Sequence, residues 1–177
     1  RRHTRLRTVT GVQTCALPIF THWSNAIVAI AFALLAVRGR APRFLLLDAL
    51  LMIIVTGIVY NAILAPNGPS PHGWDLVVNA LVHQITPVLA VVVWATCGPR
   101  DQLDRRLIPS ALVIPIVWII LTLLRGAVID AYPYGFINVV HLGYAMAIVN
   151  VLVIVLIGIA ICFLLIGVDR IARRWST

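Results

Sequence analysis

Few side chains in this 177-residue chain can do chemistry, and their spacing is selective. Asn79 precedes His83 by four residues, as Thr21 precedes Asn25, so each pair lies on one face of a helix. Pro87 follows His83 by four and has no N–H, which leaves the His83 carbonyl free for a side chain, water or ligand. A second imidazole, His141, and a lone cation, Arg125, complete the set. An imidazole can move a proton near pH 7, and two at matching depth can instead ligate a haem iron. Each residue has plain structural uses as well. Thr bonds its own helix backbone, and His or Asn can cross-link neighbouring spans.

These residues are embedded in an apolar sequence. The chain is 61% hydrophobic and 11% charged, with a mean hydropathy of +1.00, whereas about a quarter of a soluble domain is charged. The apolar blocks approach the ~20 residues needed to cross a bilayer. They predict an all-α polytopic transmembrane bundle with spans at 20–37, 44–64, 75–97, 107–124 and 136–167. Helices are required because an open strand leaves its backbone unpaired in lipid. The last block exceeds one crossing, so it must tilt, kink near Gly143 or project beyond the bilayer. No repeat and no second, soluble domain is evident.

The formal charge of +8, from Arg and Asp alone, suggests a nucleic-acid or anionic partner. That suggestion rests on residues 1–19, a basic, turn-prone stretch whose segment 9–19 reverse-translates into a common short-read sequencing adapter. Read as a translated artefact, it is set apart from the transmembrane domain at 20–177. Removing Arg1, Arg2, Arg5 and Arg7 takes four from +8 and leaves +4, with no nucleic-acid partner to explain. The remaining Arg residues cluster at 38–43, 100–106 and 170–174, and the positive-inside rule places these clusters and the C-terminus in the cytoplasm. Five spans then start outside, so the expectation is a six-helix parent lacking its first helix. Cys97 and Cys162 have neither the number nor the spacing of a metal site or disulfide framework, and buried packing is the expected role of both.

Depth along the spans organises the polar residues. At ~1.5 Å per residue, His83 lies ~11 Å and His141 ~8 Å below the outer ends of their helices. The same rise puts Thr21 ~6 Å from the outer face of a ~30 Å core. The three share an outer-leaflet layer with Asn25, Tyr60, Asn61, Asn79, Arg125, Tyr132, Tyr134 and Asn138. Only Asp48 sits deep in the inner half, near enough to Arg43 to pair with it or snorkel. Trp23, Tyr132 and Tyr134 read as interfacial aromatics, Asp75 and Asp130 as loop or cap residues, and Arg125 as a snorkelling cation or a carboxylate anchor.

The motif Phe20-Thr-His-Trp-Ser-Asn25, the Asn79-x-x-x-His83 helix with its Pro87, and Tyr132-Pro133-Tyr134 before the last span resemble the bacterial six-pass Pr-six-Pr family. That family is similar to the eukaryotic androgen-induced membrane proteins, which hydrolyse fatty acid esters of hydroxy fatty acids with a Thr nucleophile and a His. The resemblance covers residues 20–174 and implies a lipid-ester hydrolase in the bacterial inner membrane. It puts the nucleophile on Thr21 and the base on His83. Asn25 and Asn79 are then expected to orient the imidazole or meet the oxyanion, with Arg125 and His141 as further substrate-binding candidates. Membrane lipids are the expected partners, and neither a metal, a cofactor nor a soluble protein partner is required. The alternatives are a haem-binding electron carrier using His83 and His141, and a non-catalytic transporter or scaffold.

Overall fold

The computed structural model describes residues 10–68, 70–130 and 132–175, with side chains from residue 20 onward apart from 67 and 175. The protein is all-α, and five of its helices are long and apolar enough to cross a membrane. They are α1 (Thr10–Arg38), α2 (Arg43–Leu64), α3 (Trp74–Cys97), α4 (Ile108–Ile129) and α5 (Val139–Trp175). Part of the set-aside stretch 1–19, namely 1–9, lies outside the described residues. Over 10–19 the backbone is helical rather than turn-prone, since extending an existing helix adds one hydrogen bond per residue fixed.

α2 is the central helix and packs against all four others. Leu46 to Ile53 are consecutively buried, so this stretch is apolar-packed on every side rather than along one stripe. This overturns the expected pairing of Asp48 with Arg43. Asp48 is 3% exposed and its Oδ1 has no partner, because a side chain on an encircled helix has no surface along which to snorkel. Cys162 is buried as expected, well inside α5. Cys97 is not buried: it closes α3 at the surface.

At the Arg-rich end, the link between α3 and α4 is fastened to α5 by one fully buried carboxylate. Asp169 Oδ2 accepts the main-chain N–H groups of Gln102 and Leu103, both at 3.0 Å. Beside it, Arg100 caps α3 by donating to the Trp94 and Ala95 carbonyls at 3.1 and 2.6 Å. Arg173 pairs with Asp101 at 3.0 Å across the same junction.

At the opposite end, α4 runs past Arg125 and stops at Asp130, whose left-handed backbone (φ 52°) terminates the helix. The chain then turns back into the bundle. Tyr132 and Tyr134 are 8% and 9% exposed, so neither is the open interfacial residue expected from sequence. Tyr132 lies on Gly126 so closely that a Cβ there would stand 2.2 Å from the ring. Gly126→Ala is therefore expected to displace a buried ring and cost about 1–3 kcal/mol, read as a lowered midpoint of thermal unfolding in detergent. Gly158→Ala, whose added methyl meets Leu112 and Leu51 at an ordinary 3.7 Å, is the near-neutral control.

The long last block resolves as a kink. Gly143 has φ 73° and ψ 162°, non-helical values that break α5 near its start. Asn150 donates to the Phe136 carbonyl at 2.7 Å, holding the in-turned segment against the helix beyond the break.

Candidate active site

Three helices bring the site together. Thr21 on α1 is 8% exposed, and its Oγ1 lies 3.1 Å from Nε2 of the half-buried His83 on α3. The two are 62 positions apart, so the contact comes from packing rather than local geometry. Tyr60, on α2, stacks on the imidazole with ring centroids 3.9 Å apart and planes 13° apart. The ring is thus fixed at its edge by Thr21 and on one face by a phenol.

Both helices that carry these rings are locally underwound. Tyr60–Leu64 in α2 and Leu81–Ile85 in α3 are single π-helical segments, and they touch one another. Such segments recur at functional sites because they re-aim side chains. In α3 the Thr86 N–H reaches the Leu81 carbonyl, after which Pro87 has no N–H to give. Two asparagines answer. Asn61 on α2 donates to the His83 carbonyl at 3.1 Å, and Asn25 on α1 donates to the Val82 carbonyl at 3.3 Å. Gln84 donates to Asn61 Oδ1 at 3.2 Å.

The structure reassigns two of the expected orienting groups. The Asn25 amide is spent on the Val82 carbonyl and on the Thr21 carbonyl at 2.8 Å, so it holds main chain rather than the imidazole. The Asn79 amide turns back to the Asp75 carbonyl at 2.8 Å. The imidazole Nδ1 is buried without a hydrogen-bond partner. Behind Thr21 a buried hydroxyl chain runs from Thr56 to Ser24 at 2.9 Å and from Ser24 to the Thr21 carbonyl at 2.9 Å.

His141 does not join this cluster. The depth expected for it assumed a continuous helix, but it precedes the Gly143 break and is exposed. It lines neither of the two cavities described here. Among the described residues, no group of three or more His, Cys, Asp or Glu is arranged to hold a metal ion. Arg125 stands apart from Thr21, at the edge of a second cavity of about 240 Å³ between α1 and α4.

Thr21 and His83 open onto a narrow cavity of about 70 Å³, walled by α1, α2, α4, α5 and the in-turned segment. Its walls are almost wholly apolar, including Leu51, Val55, Ile119 and Val155, with Thr56, Tyr60, Trp118 and Tyr134 the other polar-capable groups. Phe20 and Trp118 pack at 5.0 Å and belong to both cavities. Tyr134 stacks on Phe136 at 5.1 Å and tilts against Trp118 at 5.7 Å. Burial pushes the Tyr134 phenol up to about 12, so it stays protonated and able to donate at neutral pH.

Compared with known protein families, curated proteins and solved structures, the chain gives no match. The sequence had marked Thr21 and His83, but it gave no role to Tyr60, Asn61, Ser24 or Thr56. The signal for Asn61 was present: a carbonyl stripped of its N–H by Pro87 needs a donor, and Asn61 shares its layer.

Proposed function

We propose that this multi-pass protein is a lipid-ester hydrolase of the bacterial inner membrane, related to the Pr-six-Pr family, with its C-terminus cytoplasmic. One observation carries the reading: a buried Thr hydroxyl meets an imidazole nitrogen at 3.1 Å on the wall of an apolar cavity. The side assignment rests on the Arg clusters at 38–43, 100–106 and 170–174.

In the reaction, His83 Nε2 takes the Thr21 proton as Oγ1 bonds to the ester carbonyl carbon. The tautomer this needs carries its proton on Nδ1, leaving Nε2 free to accept from Thr21. The tetrahedral adduct collapses, and the leaving alkoxide takes the proton from His83. Water then attacks the acyl-threonine, His83 accepting its proton and returning it to Thr21 as the fatty acid departs. With the Asn25 and Asn79 amides engaged, the donors left on the cavity wall for the oxyanion are the Tyr60 and Tyr134 hydroxyls and the Trp118 indole. No metal or organic cofactor enters this cycle.

A lipophilic fluorophosphonate tests the reading. Labelling is expected on Thr21, mapped by mass spectrometry, and is expected to vanish in Thr21→Ala while helix content is kept. A folded wild-type bundle that takes no label would favour a transporter or scaffold instead.

A further inference from the structure

At the turn that carries the base, Pro87 has no N–H to give, and the His83 and Val82 carbonyls both draw on side-chain donors. Each receives an amide from a different neighbouring helix, at 3.1 and 3.3 Å. Asn61 is the more consequential of the two, for three reasons. It bonds the carbonyl of His83 itself. It is anchored to its own helix by a second bond to the Gly57 carbonyl at 2.8 Å, and its oxygen is held by Gln84. It also directly follows Tyr60, the residue stacked on the imidazole. The two helices meet closely here, since a Cβ on Gly57 would stand 3.0 Å from Pro87 Cβ and 3.5 Å from the His83 oxygen.

We infer that Asn61 is a positioning residue for the His83 base, fixing the imidazole against Thr21 through the main-chain oxygen that Pro87 leaves unpaired. The inference rests on the Thr21–His83 hydrolase reading. Asn61 touches neither the hydroxyl nor the substrate. It sets the height and rotation of the turn from which the imidazole projects. A shift of about 1 Å in a reacting group can cost 10²-fold in rate, so the expected signature is in kcat rather than KM.

The test is a double-mutant cycle in the full chain, in detergent, with 4-methylumbelliferyl oleate as the probe. Asn61→Leu is expected to lower kcat by about 10²-fold with KM within about twofold, and to displace the pH–rate inflection of the imidazole. Pro87→Ala restores an N–H at position 87, so in that background the penalty of Asn61→Leu is expected to shrink at least about tenfold. Wild-type turnover in Asn61→Leu, or an equal penalty in both backgrounds, overturns the inference. Should Asn61→Leu not fold, Gln84→Met removes only the bond that orients the Asn61 amide. It is expected to reduce kcat by about fivefold, and unchanged kcat overturns the inference equally. Thr21→Ala separates the two levels. If it retains full turnover, the hydrolase reading fails. If it is inactive while Asn61→Leu is unimpaired, only the positioning role fails.

Discussion

His83→Ala is expected to reduce kcat for a long-chain ester by about 10²- to 10⁴-fold, the usual range for losing a general base, while KM stays within a few-fold. The imidazole contributes no apolar contact large enough to govern lipid binding, and the Leu51, Val55 and Val155 walls that would contact an acyl chain are untouched. His83→Gln is the sharper variant. An amide can still hydrogen-bond the Thr21 hydroxyl across a distance like the present 3.1 Å, but it cannot take up a proton, so activity should fall nearly as far. Steady-state turnover alongside fluorophosphonate labelling checks this, and a His83→Gln variant at wild-type rate would sink the base assignment.

The second large effect lies far from the chemistry. Asp169→Ala strips the partner from the main-chain N–H groups of Gln102 and Leu103 in a setting where Asp169 is fully buried and Leu103 is 5% exposed. A buried donor left without its partner costs about 1–3 kcal/mol, and two are left here, so a loss of roughly 2–5 kcal/mol is expected. Asp169→Asn keeps an acceptor oxygen and should lose less. Thermal unfolding followed by circular dichroism in detergent ranks the three proteins, and an unshifted Asp169→Ala midpoint would remove Asp169 as the fastener. The neighbouring Arg173–Asp101 pair is more than half exposed on both sides, so breaking it is expected to change little.

Most of the bundle was legible in the sequence, because lipid imposes one solution on a long apolar run. The spans begin and end within a few residues of expectation except at the start of α1, the end of α5 and the α4–α5 turn. There the outcome depends on two backbone torsions, at Asp130 and Gly143, which hydropathy does not encode. The same turn explains why Tyr132 and Tyr134 are buried and why His141 is excluded from the site. Thr21 and His83 were legible because depth along a span is simple arithmetic, and equal depth is a precondition for contact. Which face each helix presents is not arithmetic. It follows from packing around α2, which is why the Tyr60 stack and the Asn61 bond emerged only from the structure.

The paired π segments bear on what changes in chain length the protein can absorb. A π turn takes in one residue more than an α turn. Tyr60–Leu64 and Leu81–Ile85 therefore each absorb an extra residue at one level of the bundle while the flanking helix keeps its phase. Deleting a single residue from Leu81–Ile85 is expected to restore an ordinary α turn, leave Trp74–Ala80 near its present phase relative to Thr86–Cys97, and re-aim the side chains of the turn itself, His83 included. A deletion in Tyr60–Leu64 would do the same to the turn that carries Tyr60. The extra residue in each helix thus sets the aim of a ring, so losing it would disturb the site more than the bundle.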